Sequence, residues 1–174
     1  VARINEPWVA EELIENGKCD MCMIGRANLC DSEFANKAFE GKTDDIRPCI
    51  GCGRCLTGIM MDKRISCTVN PSVEDDTVEK AAEKKKVLVI GGGPAGMEAA
   101  YVAHQRGHEV VLCEKSNELG GQLRIAAVPI AKQELCRVIK YMKRRLDNAG
   151  IEVRLNTEVA EEMLNNEFKD YEII

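Results

Sequence analysis

Apolar positions recur at helical spacing from the start of the chain. Trp8, Val9, Leu13 and Ile14 follow Pro7, whose fixed φ suits a first helical turn, and Gly17 stops the run. Met21-Cys22-Met23-Ile24 is instead a short continuous apolar run, which predicts a buried strand ending at Gly25-Arg26. Asp31 or Ser32 can cap a second helix reaching about Glu40, closed by Gly41. Helix, strand, helix is an α/β pattern. Residues 48–72 break it: they hold four cysteines, three glycines and little periodicity, with Pro48 and Pro71 stiffening the two ends. Residues 73–86 are a charged stretch, expected as a solvated linker or surface helix.

Periodicity returns at residue 87. Val87-Leu88-Val89-Ile90 predicts a strand, followed by a glycine-rich turn and a helix ending near Gly107. A second strand is expected over Glu109–Cys113. An amphipathic helix is expected from about Lys132 to Asn148, with Leu135, Cys136, Ile139, Met142 and Leu146 on one face and Gly150 as its cap. Ile151–Leu155 predicts a third strand. The chain thus divides into 1–47, 48–72, 73–86 and 87–174.

Composition narrows the function. Of 174 residues, 45% are hydrophobic and 30% charged, so the chain is expected to fold. A net charge of −5 and an aromatic content of 4% argue against a nucleic-acid surface. The apolar runs are too short to span a bilayer, so no membrane partner is expected. The chain begins at Val1 with no initiator Met and no charged-then-apolar signal segment, and it stops inside the strand-like run Tyr171-Glu172-Ile173-Ile174, so we expect a piece of a longer polypeptide. Nine cysteines is an odd count that suits no disulfide scaffold; it fits a reducing, cytoplasmic setting with some thiols on a metal.

Cys49, Cys52, Cys55 and Cys67 follow the spacing C-x2-C-x2-C-x11-C. Two intervening residues let neighbouring thiolates converge while the backbone turns around the centre, and Gly51 and Gly53 remove bulk from that turn. Structural zinc sites more often use two separated C-x2-C pairs. The triplet is closer to the ligand runs of iron–sulfur proteins, so a 4Fe–4S cluster is expected, with zinc or no metal as the alternatives. Cys19 and Cys22 also have this spacing, but on a strand they would face opposite sides; with Cys30, Cys113 and Cys136 they are expected to be buried packing thiols. His104 and His108 have no partner cluster in the sequence.

Gly91, Gly93 and Gly96 form G-x-G-x-x-G after an apolar strand and at the opening of a helix, with Pro94 and Ala95 between. In that context Gly91 permits the tight turn, Gly93 lets the backbone approach a pyrophosphate, and Gly96 allows close helix packing. Glu114 ends the second strand 18 residues after Gly96 and suits the hydroxyls of an adenosine ribose, while disfavouring a 2′-phosphate. Lys115 follows it. Leu119-Gly120-Gly121-Gln122 allows a further close approach to a cofactor, or is a flexible turn.

Four blocks together, Ile24-Gly25-Arg26, Ile46–Cys52, Ser66–Pro71 and Val89–Ala100, resemble the multidomain NADH:flavin oxidoreductases, which include 2,4-dienoyl-CoA reductase, trimethylamine dehydrogenase and clostridial enoate reductases. The resemblance implies the C-terminal end of an FMN-binding TIM barrel, an iron–sulfur loop, and the first part of a Rossmann-like FAD-binding domain. It places Val1-Ala2-Arg3 at the end of barrel strand 7 and Cys19–Ile24 in strand 8, with Gly25 and Arg26 on the FMN phosphate. It gives Cys49, Cys52, Cys55 and Cys67 to the cluster, and Gly91, Gly93, Pro94, Ala95, Gly96, Glu114, Lys115, Gly121 and Gln122 to FAD. Catalytic residues would lie elsewhere in the barrel. The implied activity passes electrons from NAD(P)H through FAD and the cluster to FMN, which reduces an activated C=C bond. Amine oxidation is also known in this family. A different class, a non-catalytic electron-transfer subunit resembling the small subunit of glutamate synthase, lacks an expected Gly-Arg strand upstream, so residues 1–47 favour the reductase.

Overall fold

The computed structural model describes residues 3–73 and 77–174, which fall into two compact units, Val1–Thr77 and Val78–Ile174. Val1, Ala2 and the acidic run Glu74-Asp75-Asp76, named above, lie outside the described residues.

The first unit is built from short helices. α1 (Pro7–Glu15) starts with Pro7 in its first turn, and Gly17 at φ +62 ends it. α2 (Arg26–Cys30) and α3 (Phe34–Phe39) are joined by Asp31, whose Oδ1 accepts a hydrogen bond from the Glu33 N–H at 3.1 Å. α4 (Arg54–Met60) lies inside the cysteine-rich segment, which was expected to be a loop. Its regularity was hidden because its one buried residue is Cys55, while Leu56, Ile59 and Met60 are exposed. Ala27, Phe34 and Ile46 form a small core, with Ile24, Ala38 and Cys49 packed against it.

The strand expected over Met21–Ile24 is not formed. Among the described residues nothing pairs with this segment, and Met21 and Met23 are 81% and 96% exposed. A parallel strand exists only through hydrogen bonds to its neighbours, so an apolar run without them stays an unpaired segment.

The second unit is a parallel sheet with helices on both faces. β1 (Lys86–Ile90), α5 (Pro94–Gln105), β2 (Glu109–Cys113), α6 (Gln122–Ala126), α7 (Glu134–Asn148), β3 (Glu152–Arg154), α8 (Glu161–Asn165) and β4 (Glu172–Ile173) follow in order. The strand order is β3-β2-β1-β4. Val87 pairs with Val110 on one side and Glu172 on the other. β1 and β2 are almost wholly buried apolar runs, as a strand covered on both faces requires. One face meets α5, which packs against β1, β2 and α7. On the other, Leu88, Val111 and Cys113 surround Phe168, with Met163 and Leu164 of α8 alongside. The residues between Thr77 and Lys85 form no helix; Ala81 donates its N–H to the Arg106 carbonyl at 2.9 Å.

The face expected on α7 is formed except at one position. Ile139, Met142 and Leu146 are buried, but Cys136 is exposed. The buried residues of α7 begin at Val138, so Cys136 is no packing thiol.

Candidate functional site

The order β3-β2-β1-β4 places a topological switch point at β1: the chain proceeds to β2 on one side and later to β4 on the other. Ligands of open parallel sheets bind outside the carboxyl end of the strand at such a point. The Gly91–Gly96 turn sits there, at the end of β1.

Gly91 has φ +107, a backbone conformation that side chains resist, and its N–H reaches the Cys113 carbonyl at 2.8 Å. Gly93 ends the turn, Pro94 and Ala95 begin α5, and a Cβ at Gly93 would meet nothing within 4 Å. That is the open approach a pyrophosphate needs at a helix N-terminus. Gly96 is the opposite case. A Cβ there would lie 1.9 Å from the Gly91 carbonyl oxygen, so α5 can close onto the turn only with glycine.

Glu114 is 8% exposed and is already engaged. One carboxylate oxygen accepts the Gly92 N–H at 2.6 Å; the other accepts the Ser116 N–H at 2.8 Å and the Ser116 hydroxyl at 2.7 Å. The two Ser116 bonds lead in holding this carboxyl below its ordinary pKa, with the Gly92 N–H and Lys115 helping. Lys115 is exposed. Leu119-Gly120-Gly121 folds onto the same turn: the Gly120 N–H reaches the Gly92 carbonyl at 2.8 Å. A Cβ on Gly121 would lie 3.1 Å from the Gly93 Cα, and Gln122 opens α6 beside it, exposed. Fingerprint, Glu114 and the second glycine pair are therefore one constellation. Ser116 belongs to it and was not expected; a hydroxyl two residues after an acidic strand end is the signal that could have indicated it.

In the first unit, a pocket of about 240 Å³ is lined by Arg3, Asn5, Gly25, Arg26, Cys49 and Gly51, among others. Gly25 precedes α2 and Arg26 is its first residue. Asn5 donates its side-chain N–H to the Cys49 carbonyl at 2.8 Å. Two guanidinium-bearing residues and an amide around a small cavity suit a phosphate.

The four cysteines occupy one region. Burial leads in raising the Cys49 thiol pKa; the Gly51 N–H and the nearby Arg26 charge oppose it. Cys52 is exposed, with its sulfur 3.2 Å from the Thr68 hydroxyl. Cys55 is buried in α4, and Arg54 beside it donates from Nε to the Ser66 hydroxyl at 2.9 Å, tying α4 to the segment carrying Cys67. The Cys67 thiol is lowered to about 5, first by a hydrogen bond from Cys30 and then by the N–H groups of Asn70 and Val69. N–H donors aimed at a sulfur, as the Asn70 and Val69 amides are at Cys67, are the donor chemistry of a metal–thiolate site. Among the described residues no three potential ligands converge tightly enough for a single ion.

Cys19 and Cys22 depart from expectation. Without a strand to separate them, their sulfurs lie 3.6 Å apart, and both are half-buried. Burial, then contact with Cys19, raises the Cys22 thiol pKa. Cys30 is fully buried, as expected of a packing thiol. His108 accepts the Lys85 N–H on Nδ1 at 3.2 Å, a structural contact. No helix among the described residues is long and apolar enough to cross a membrane.

Residues 86–167 match the FAD dependent oxidoreductase family. The whole chain aligns at 43% identity with a bilirubin reductase of Mediterraneibacter gnavus and at 40% with an NADH oxidase of Thermoanaerobacter brockii, spanning 28% of the length of each. The solved structure of a 2-naphthoyl-CoA reductase in complex with 2-naphthoyl-CoA superposes with a TM-score of 0.89 at 36% identity, over 95% of this chain and 26% of that one. The chain thus spans about a quarter of the proteins it matches. With a glycine turn at the switch point of a parallel sheet, residues 86–167 carry the FAD dependent oxidoreductase domain, and the chain as a whole is similar to a segment of these reductases and oxidases.

Proposed function

We propose that this chain is the joining segment of a larger flavin- and iron–sulfur-dependent reductase, connecting an FMN site to an FAD site through a 4Fe–4S cluster. When bound, the nicotinamide would supply a hydride, FAD and the cluster would relay its electrons singly, and FMN would deliver a hydride to an activated C=C bond such as that of an enoate. The observation that carries the reading is the pocket lined by both Arg26 and Cys49. That shared lining supports a phosphate site at Arg26 adjoining a cluster ligand at Cys49.

The chain's residues divide the work. Gly25 and Arg26 would bind the FMN phosphate, the N–H directionally and the guanidinium through charge-assisted bonds. Cys49, Cys52, Cys55 and Cys67 would hold the cluster. Gly91, Gly93, Pro94, Ala95 and Gly96 would receive the FAD pyrophosphate; Gly121 and Gln122 would border it. Glu114 orders the turn through Gly92 and keeps lone pairs for the ribose hydroxyls, with Lys115 beside it. The proton for the substrate would come from outside this chain.

The test is stopped-flow spectroscopy of the longer protein carrying Cys52→Ala, with both flavins retained. NADH should still bleach FAD rapidly. FMN reduction by NADH should become very slow, while FMN reduced with dithionite should still be reoxidised by an enoate. Unchanged NADH-to-FMN transfer would refute the relay.

A further inference from the structure

Cys19 and Cys22 lie outside the four-cysteine motif, and the proposed electron path uses neither. Gly17, at φ +62, turns the chain out of α1, and the Lys18 N–H returns to the Leu13 carbonyl at 2.9 Å, which fixes the direction in which the chain reaches Cys19. The backbone then bends at Asp20. On an extended strand residues three apart face opposite sides; across this bend the two sulfurs come within 3.6 Å of each other. The Cys22 thiol also donates to the Ala10 carbonyl of α1 at 3.9 Å, so its sulfur is held against the helix. Both residues are half-buried, within reach of a small reagent. Among the described residues no three potential ligands gather around an ion, so the pair is no metal site.

We propose that Cys19 and Cys22 form a reversible dithiol–disulfide site, oxidised by exchange with a low-molecular-weight disulfide. One protein thiolate attacks the small disulfide: a sulfur–sulfur bond forms to the protein, the original sulfur–sulfur bond breaks, and one small thiolate leaves and takes up a proton. The second protein thiolate displaces the other small thiolate in the same way. The pair loses two electrons and two protons, and the small disulfide becomes two thiols. The neighbouring sulfur makes the second displacement intramolecular, which favours closure over a standing mixed disulfide. The pair follows the C-terminus of α1, whose negative end does not favour a thiolate. Burial, and then Cys19, hold the proton on the Cys22 thiol. Attack is therefore slower than at an activated C-x2-C thiol, and the pair follows the ambient thiol–disulfide balance instead of catalysing exchange. The closed bond ties Cys22 to the end of α1, three residues before Gly25 in the segment that lines the Arg26 pocket.

Trypsin cuts after Lys18 and after Arg26, so one peptide, Cys19–Arg26, carries these two thiols and no others. The longer protein is equilibrated anaerobically in glutathione buffers of graded oxidised-to-reduced ratio, free thiols are blocked with N-ethylmaleimide, and the peptide is weighed by mass spectrometry. It should pass reversibly from two blocked thiols to none, as a species two hydrogens lighter than the dithiol. Cys19→Ser and Cys22→Ser should stop at a mixed disulfide between glutathione and the remaining thiol. The same protein unfolded in urea should need a more oxidising buffer to close the bond, because the bend at Asp20 is lost. Two free thiols in the wild-type peptide under buffers that already modify the exposed Cys136 overturn the proposal. Glutathione adducts on that peptide without closure, remaining thiols that take no glutathione in either variant, or equal closure in folded and unfolded protein overturn it as well.

Discussion

The Gly92 N–H and the Glu114 carboxylate are joined by a 2.6 Å hydrogen bond across the end of β1 and β2. The acidic residue at the second strand is therefore a support for the first glycine turn before it meets any ligand. Glu114→Gln keeps one acceptor oxygen but cannot accept from Gly92 and Ser116 together. It should destabilise the second unit by about 1–3 kcal/mol, the cost of bonds to a charged acceptor, read by urea unfolding of this chain.

The same group gives a pH dependence. Its carboxyl is held below the ordinary 4.5 in the folded protein, chiefly by Ser116. The stability it contributes is complete above that ordinary value and is lost as pH falls through the lower folded value. The wild-type chain should lose more stability than Glu114→Gln as acid is added below about pH 4.5. Parallel acid-unfolding curves for the two proteins would contradict this.

Gly96 and Gly93 should fail in opposite ways. Gly96→Ala forces a Cβ onto the Gly91 carbonyl at 1.9 Å, and overpacking of this kind costs about 1–3 kcal/mol or more, visible as a lowered thermal midpoint. Gly93→Ala meets nothing within 4 Å and should unfold close to wild type. In the longer protein, however, Gly93→Val should carry less FAD, measured by flavin release and chromatography, because its side chain enters the pyrophosphate path.

Arg26→Ala removes a guanidinium from the pocket shared with Cys49. Prepared in the longer protein, this variant should lose FMN while retaining FAD and iron, by cofactor analysis of one sample. Equal loss of both flavins would mean that Arg26 acts on folding instead.

Arg145 on α7 is 9% exposed, pairs with Glu98 of α5, and lies 3.8 Å from the Tyr101 ring centroid. Removing one member of a buried pair strands the other, so Arg145→Ala should cost about 3–5 kcal/mol. Arg145→Met combined with Glu98→Gln should recover most of that loss, because no uncompensated charge remains. Denaturant unfolding of Arg145→Met, Glu98→Gln and the double variant measures the coupling.

The sheet was legible in the sequence, and much of the first unit was not. Val87–Ile90 and Glu109–Cys113 are continuous apolar runs flanked by a glycine turn and a helix, and local pattern matches burial on both faces. Met21–Ile24 has the same local pattern, but strand formation depends on partners that no local pattern encodes. α4 escaped notice because it buries a cysteine and exposes Leu56, Ile59 and Met60. Leu119-Gly120-Gly121 was ambiguous as a string. Its role is decided by a tertiary contact, the Gly120 N–H on the Gly92 carbonyl. The contacts of Arg47 and Asn70 with the end of α2 are likewise a product of folding, since they join segments 17 and 41 residues apart.

Lys85, just before β1, makes contacts at two very different sequence ranges. Its N–H meets His108, 23 residues away, while its ammonium meets Glu172, 87 residues away. The loop entropy separating these closures is only about 1 kcal/mol, so both fit one cooperative unit at equilibrium. Their timing differs. The β1–α5–β2 crossover unit closes over a shorter stretch of chain than the pairing of β1 with β4. The glycine turn is consequently shaped early in folding, on the side of β1 that completes first.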